Sequence, residues 1–167
     1  MNRRLRLTEA QLYLVLEARP RGEAPDALLD AALRGGVDVV QLRDKELPDA
    51  ALVRAAEPFR RACAAHGALF VLNDRPDLVD ACGADGVHVG HADASVADAR
   101  AAVGPDRLVG LSVSSVDELD AIDGADYLGV GAVFGTPTKT DAVAAGLELV
   151  RAAAERVRMP WFAIGGI

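Results

Sequence analysis

The chain has 167 residues, a length typical of one domain, and we expect a single domain over 1–167. Its formal net charge is −7, which argues against a nucleic-acid partner, because phosphate backbones bind basic surfaces. No apolar run approaches the roughly 18 residues that a membrane span needs, so no membrane segment is expected. A cytoplasmic protein is therefore the default expectation, and a small phosphorylated ligand held by a local Arg/Lys cluster stays compatible with the acidic charge.

Apolar residues make up 51% of the chain but aromatic residues only 4%, so the core must be built from Ala, Val and Leu. The two cysteines, Cys63 and Cys82, lie in predicted helices and show neither a CxxC motif nor a metal-like spacing. We interpret them as buried free thiols in a reduced compartment.

Short apolar runs alternate with amphipathic stretches along the whole chain. Strands are predicted over 13–16, 37–42, 68–72, 86–89, 108–111, 127–130 and 161–164. Helices are predicted over 25–33, 48–66, 77–81, 95–103, 116–122 and 147–157. This alternation implies a parallel sheet with right-handed crossovers.

One turn pattern recurs at 35–40, 83–88 and 124–129, where a glycine ends a helix and a short turn containing Asp leads into a strand. The recurrence favours a TIM (β/α)₈ barrel over an open doubly wound sheet. The absence of GxGxxG after the first strand points the same way. Since the sequence stops at Ile167, directly after the seventh strand, we expect the eighth strand and last helices of the barrel to be missing.

In such barrels, function collects where strands end. After the second strand, Gln41, Arg43 and Lys45 alternate onto one side, and two cations beside an amide suit a phosphate-bearing ligand. The alternative for this segment is a solvated basic loop.

Two carboxylates follow neighbouring strands. Asp74 comes directly after the third strand, beside Asn73, and Asp93 follows the fourth. Two hard carboxylate oxygens at adjacent strand ends suit Mg²⁺ when a ligand and water supply the other oxygens. Either Asp could instead cap a following helix.

The later strands end in segments that could hold phosphate through backbone N–H groups and hydroxyls. The candidates there are Ser112, Thr136, Thr138, Lys139 and Gly166. His88, inside the fourth strand, and His66, before a helix-ending glycine, are both interpreted as structural.

Taken together, these segments resemble the thiamine-phosphate synthase family, whose members are TIM barrels. The matching stretches are QLRDK (41–45), NDRPDLVDACGADGVHVGHAD (73–93), GLS (110–112), GADYLGVGAVFGTPTKTDAVAAGLE (124–148) and AIGGI (163–167). The resemblance implies a Mg²⁺-dependent transferase. It would join 4-amino-5-hydroxymethyl-2-methylpyrimidine pyrophosphate to a thiazole phosphate through a pyrimidine carbocation, giving thiamine phosphate and pyrophosphate.

The resemblance also implies roles for individual residues. Gln41, Lys45 and Asn73 would contact the pyrimidine substrate. Its pyrophosphate would be bound by Arg43, Asn73, Ser112 and Lys139, of which Arg43, Ser112 and Lys139 are the predicted catalytic residues. The thiazole phosphate would be bound by Thr136, Thr138 and Gly166. Asp74 and Asp93 would hold Mg²⁺, and a homo-oligomer is compatible with this assignment.

Two positions depart from the family pattern. His91 stands where the family often has Gln, and Ser114 stands where it commonly has His. Two other functions stay open: a thiazole tautomerase, which shares the barrel but makes no C–N bond, and a non-catalytic barrel that binds phosphate ligands. Asp74, Asp93 and Lys139 argue against the tautomerase, since a tautomerase has no pyrophosphate to neutralise.

Overall fold

A computed structural model describes residues 2–90, 93–135 and 146–167. Its strands are β1 (Tyr13–Leu16), β2 (Val39–Leu42), β3 (Leu69–Asn73), β4 (Gly86–Val89), β5 (Leu108–Val113), β6 (Tyr127–Val130) and β7 (Trp161–Ala163). Its helices are α1 (Arg3–Glu9), α2 (Asp26–Arg34), α3 (Asp49–His66), α4 (Val79–Cys82), α5 (Val96–Val103) and α6 (Gly146–Arg156). Three short 3₁₀ turns lie at Pro20–Gly22, Pro76–Leu78 and Asp117–Asp120.

The strands form one parallel sheet in sequence order, from β1 to β7. The sheet curls until its two edges approach each other. The ring of Tyr13 in β1 packs against Phe162 in β7, with centroids 5.0 Å apart. The predicted (β/α) barrel is therefore confirmed, with seven strands in the described part of the chain and no strand there that pairs between β1 and β7.

The strands are buried on both faces, as their nearly continuous apolar sequences indicate. In β2, Val40 and Leu42 face outward into a large core beneath the helices. Val39 faces inward, into a smaller core that fills the lower half of the barrel. Inward positions nearer the carboxyl ends of the strands are polar, so the upper half of the barrel opens into a cavity.

Helix α1 was not predicted, because its sequence, RRLRLTE, is too polar to reveal an apolar face. It closes the amino-terminal end of the barrel, where Leu7 is buried in the inner core. Arg3 Nε donates to Asp85 Oδ1 at 2.7 Å, and Arg4 Nε donates to Asp126 Oδ1 at 2.9 Å. Tertiary ion pairs and one buried leucine thus stabilise a helix that its local sequence barely indicates.

The recurring turn has a structural purpose. Asp38, Asp85 and Asp126 each accept backbone N–H hydrogen bonds from residues at or just before the beginning of the preceding strand. The donor–acceptor distances are 2.8–3.0 Å. Each carboxylate therefore fixes its own strand beside its neighbour. This is the repetition that the sequence pattern predicted.

Two predicted helices differ from the structure. The helix predicted over 116–122 is wrong: only the 3₁₀ turn Asp117–Asp120 forms there, and the chain leaves helical geometry at Ala121, with φ −120°. The carboxylate of Glu118 accepts from the backbone N–H of Ser114, which favours a tight turn over a longer helix. The helix predicted over 77–81 is divided between the 3₁₀ turn Pro76–Leu78 and α4.

Both cysteines are buried and free. Burial raises the pKa of the Cys63 thiol to about 12, so it packs as a small apolar group. No helix in the described ranges combines the length and hydropathy that crossing a bilayer would require.

Candidate functional site

A cavity of about 360 Å³ opens at the carboxyl ends of the strands. It brings together several residues that lie far apart in the sequence. Five predicted site residues line it: Gln41, Arg43, Asn73, Ser112 and Gly166. Parallel strands all end at this edge of the barrel, which explains why positions from four separate segments meet here.

Arg43 and Asn73 present polar groups to this cavity. Both side chains are half-buried, at the ends of β2 and β3. Neither side chain forms a hydrogen bond or an ion pair with another residue of the described ranges. The guanidinium and amide donors are therefore free to bind a ligand oxygen.

A charged cluster of Lys45, Asp74 and Asp93 lies next to the cavity without lining it, since Lys45 and Asp74 closely follow the lining residues Arg43 and Asn73 in the chain. Lys45 Nζ lies 2.9 Å from Asp74 Oδ2, and Asp93 Oδ2 accepts from the backbone N–H of Gly90 at 3.1 Å. Partial burial, followed by the adjacent Asp74 carboxylate, raises the pKa of Asp93 above its ordinary value. Lys45 offsets part of this repulsion, so the cluster holds two carboxylates close together beside one cation.

Asp74 has an unusual backbone conformation, with φ +60°. Its N–H donates to the carbonyl oxygen of His88 in β4 at 2.9 Å, which holds this geometry. A non-glycine residue in the left-handed region is uncommon, although Asp tolerates it better than most, and such residues concentrate at functional sites.

The helix-capping alternative fails for both carboxylates. The cap of α5 is Ser95, which accepts from the N–H of Asp98. The 3₁₀ turn after Asp74 has no side-chain cap. Asp74 and Asp93 are therefore placed by their strand ends and not by capping.

The pair of carboxylates fits a divalent cation on chemical grounds. Carboxylate oxygens are the hard donors that Mg²⁺ prefers, and a bound Mg²⁺ would relieve the repulsion between the two carboxylates. Across the described ranges, no group of three or more His, Cys, Asp or Glu side chains could hold a metal ion. The protein would thus supply two carboxylates as metal ligands, and the remaining coordinating oxygens would come from the bound ligand and water.

A chain of hydrogen bonds crosses the barrel interior beneath the cavity. Gln41 Nε2 donates to the Tyr13 hydroxyl at 2.8 Å, and that hydroxyl lies 2.9 Å from the hydroxyl of Tyr127. His88 Nδ1 lies 3.2 Å from the Tyr127 hydroxyl, and His88 Nε2 lies 2.9 Å from Ser112 Oγ. Burial raises the pKa of both tyrosines, so both stay protonated.

Tyr13 and Tyr127 were not identified from the sequence, and His88 was interpreted only as structural. Glycines on neighbouring strands were the available signal. A Cβ on Gly110 would lie 2.2 Å from Cζ of Tyr127, and one on Gly129 would lie 3.0 Å from Cε1 of His88. Inward-facing glycines beside inward-facing large residues indicate rings that cross the barrel interior.

Gly166 lies where the seventh strand ends, with φ +74°. A Cβ there would lie 2.8 Å from Cβ of Phe134, and the Phe134 N–H donates to the carbonyl of Gly165 at 2.9 Å. The glycine pair thus lets the segment after β6 pack directly against the end of β7.

Four of the residues discussed above lie outside the described residues: His91, Thr136, Thr138 and Lys139. Their roles stay predictions. Ser114 is described, and its hydroxyl donates to the Glu118 carboxylate at 3.0 Å. That contact holds Ser114 on the neighbouring 3₁₀ turn, and Ser114 does not line the cavity.

The fold and the strand-end residues define a parallel (β/α) barrel whose mouth combines free cationic and amide donors with a carboxylate pair. The sequence profile described as "Thiamine monophosphate synthase" matches residues 12–167, and the chain belongs to this family.

Individual relatives agree with this membership. The chain is 48% identical over 169 residues to a thiamine-phosphate synthase from Thermobifida fusca, covering 98% of this chain and 77% of the relative. A thiamine-phosphate synthase from Nostoc sp. is 45% identical over 163 residues, which is 96% of this chain but 46% of the relative. The chain thus spans about half the length of several curated relatives that it matches.

A solved structure agrees as well. Thiamine phosphate pyrophosphorylase from Pyrococcus furiosus superposes with a TM-score of 0.85 at 36% sequence identity, covering 98% of this chain and 78% of that chain.

Proposed function

We propose that the protein is a thiamine-phosphate synthase, joining a hydroxymethylpyrimidine pyrophosphate to a thiazole phosphate. One observation carries the proposal. Arg43 and Asn73, whose side chains have no partner in the described ranges, lie at the same end of the strands as the two neighbouring carboxylates Asp74 and Asp93. Together they provide donors for pyrophosphate oxygens and carboxylates for a cation at the open end of the barrel.

The pyrophosphate oxygens would be bound by Arg43, Asn73 and Ser112, which all line the cavity. Arg binds such oxygens through two parallel N–H groups, which orients as well as attracts the ligand. Lys139, which follows β6 in the sequence, would add a further positive charge. Gln41 and Lys45 would contact the pyrimidine portion.

The chemistry follows from charge. The bond between the exocyclic methylene carbon and the pyrophosphate oxygen breaks, and both electrons leave with pyrophosphate. The ring amino group delocalises the positive charge left on the methylene carbon, and the thiazole nitrogen then donates its lone pair to form the C–N bond. No protein nucleophile is required, so catalysis consists of positioning and charge stabilisation.

Asp74 and Asp93 are the residues that would hold Mg²⁺, which when bound would neutralise charge on the departing pyrophosphate. Lys45 is paired with Asp74, so it would help to orient that carboxylate. The thiazole phosphate would be bound by Thr136, Thr138 and the backbone at Gly166, which lines the cavity.

The tautomerase alternative is less well supported. The tautomerase branch of the family resembles proteins that carry a catalytic His at this position, whereas this chain has Ser114 there. The Ser114 hydroxyl is engaged by Glu118 and does not line the cavity. A carboxylate pair of the Asp74–Asp93 type would also have no evident use in an isomerisation without pyrophosphate.

The proposal can be tested at Arg43. We expect Arg43→Gln to lower the rate of thiamine phosphate formation by about 100-fold. The reason is that the negative charge developing on the leaving pyrophosphate would lose a charged hydrogen-bond donor. Arg54→Gln, which removes an exposed arginine of α3, is the matched control and should leave the rate unchanged. Equal rates for both variants and the wild type would contradict the assignment.

A further inference from the structure

The interior hydrogen-bond chain can run in one of two directions, and the orientation of the Gln41 amide favours one of them. The amide nitrogen of Gln41 can only donate, so the Tyr13 oxygen accepts from it. Tyr13 then has one hydrogen to give, and the Tyr127 hydroxyl is 2.9 Å away. Tyr127 in turn has one hydrogen, and the acceptor within reach is His88 Nδ1, at 3.2 Å.

This direction determines the other end of the chain. If Nδ1 of His88 accepts, the ring proton sits on Nε2, 2.9 Å from Ser112 Oγ. The serine oxygen then accepts from His88, which leaves the serine's own hydrogen available to point elsewhere. Ser112 lines the cavity, so the direction available to that hydrogen is toward a bound ligand.

We propose that the Gln41–Tyr13–Tyr127 chain holds His88 as its Nε2–H tautomer, and thereby makes Ser112 a hydrogen-bond donor to an anionic oxygen in the cavity. His88 is a positioning residue in this arrangement. The proposal rests on the proposed function only for the identity of that oxygen, which would belong to pyrophosphate.

The surroundings fix the geometry tightly. His88 is 8% exposed and Tyr127 is 1% exposed, so bulk water does not compete for these hydrogen bonds. Gly110 and Gly129 border the two rings so closely that any side chain there would displace them. A buried chain of this kind is cooperative, since each bond polarises the next.

The opposite direction makes an opposite prediction. If the Gln41 carbonyl accepted from Tyr13, each hydrogen would move one place back along the chain. His88 would then carry its proton on Nδ1, and Ser112 would donate to Nε2. In that case the serine would present only acceptor lone pairs to a ligand, and an anionic oxygen there would be repelled.

Nitrogen NMR of the ¹⁵N-histidine-labelled chain distinguishes the two directions. We expect His88, assigned by comparison with His88→Gln, to give a pyrrole-like Nε2 signal and a pyridine-like Nδ1 signal at about pH 8. The reverse assignment, or equal signals from both nitrogens, would overturn the proposal.

A substitution at the far end provides a second test. In Gln41→Glu at about pH 8, the ionised carboxylate can only accept. We expect the chain to reverse and the His88 proton to move to Nδ1, although the side chain at position 41 bonds to Tyr13, two hydrogen bonds away from the histidine along the chain. An unchanged Nε2–H signal in this variant would overturn the proposal. Gln11→Glu, a substitution at a position before β1, is the control and should leave the signals unchanged.

Binding of inorganic pyrophosphate with Mg²⁺ supplies the functional measurement. We expect Ser112→Ala to weaken this binding about tenfold, the effect of one hydrogen bond to a charged group. Unchanged affinity would overturn the donor role of Ser112. A failed coupling assay in a protein that retains the tautomer and the pyrophosphate response would count against the proposed function alone.

Discussion

At the scale of single residues, the carboxylates at the mouth are held in a costly arrangement. Asp74 has a left-handed backbone, and its carboxylate lies close enough to Asp93 to disturb that group's ionisation. Neither feature stabilises the fold by itself. Their joint presence at one strand-end mouth is the physical reason for regarding the pair as functional.

Replacing Asp74 tests this interpretation. We expect Asp74→Asn to reduce Mg²⁺-dependent product formation at least 100-fold, since a neutral amide is a poorer ligand, while Asn tolerates the positive φ. The measurement is the coupling rate as a function of Mg²⁺ concentration. Asp80→Asn, a carboxylate on α4 away from the cavity, is the control. Wild-type turnover in Asp74→Asn would contradict the metal assignment.

Replacing Asp93 tests the electrostatics. Its raised pKa means that the folded protein disfavours the ionised form, so this group lowers stability as the pH rises from the ordinary Asp range through the raised pKa. We therefore expect metal-free Asp93→Asn to melt at a higher temperature than the wild type at neutral pH. The difference should vanish below the ordinary Asp pKa.

Thermal unfolding in a chelator, recorded across pH, gives this comparison. Adding Mg²⁺ should stabilise the wild type more than the variant. A variant that is less stable than the wild type at neutral pH without metal would contradict the electrostatic account.

Gly110 tests the packing around the tyrosine. A methyl group there would lie 2.2 Å from Cζ of Tyr127, so we expect Gly110→Ala to destabilise the fold by about 1–3 kcal/mol and to displace the ring. Denaturant unfolding measures this change. Gly135→Ala is the control, because a Cβ there would meet no atom of the described residues within 4 Å. Equal stability in both variants would show that the interior is looser than described.

At the scale of elements, α1 contributes more than its sequence indicates. Leu7 is 2% exposed in the inner core, while Leu5 on the same helix is 58% exposed. We expect Leu7→Ala to lower the free energy of unfolding by about 2–5 kcal/mol and Leu5→Ala to change it little. Chemical denaturation of both variants tests whether α1 seals the barrel, and equal effects would contradict that role.

The elements of this fold differ in how well their own sequences predict them. The strands were predictable because each is a short apolar run bounded by turn residues, as β4 and β6 are. Helix α1 was not, since its stability comes from Asp85 and Asp126, which are more than 80 residues away in the chain. The 3₁₀ turn at Asp117–Asp120 was mistaken for a helix because its few apolar residues match helical spacing over one turn.

The candidate site was partly predictable for the same reason. Gln41, Arg43, Asn73 and Ser112 were identified because strand ends are visible in the sequence and converge in a barrel. The buried chain through Tyr13, Tyr127 and His88 was not, because its hydrogen bonds depend on how the strands are arranged around the barrel. Sequence alternation gives the inward face of each strand but not which side chains meet there.

At the scale of the whole molecule, seven parallel strands almost enclose a polar cavity above an apolar plug. The inner core below, with Leu7 and Phe162, excludes water from the base of the cavity. Electrostatic interactions above it are correspondingly stronger than they would be in open solvent. The barrel thus provides a preorganised mouth for a charged ligand, as the proposed reaction requires.

The most direct test of the central claim is a coupling assay on the 167-residue chain. Both substrates and Mg²⁺ are supplied, and thiamine phosphate and pyrophosphate are measured. We predict that both products form in equal amounts and that formation depends on Mg²⁺. Binding of both substrates with no product would contradict the synthase assignment and favour a non-catalytic phosphate-binding barrel.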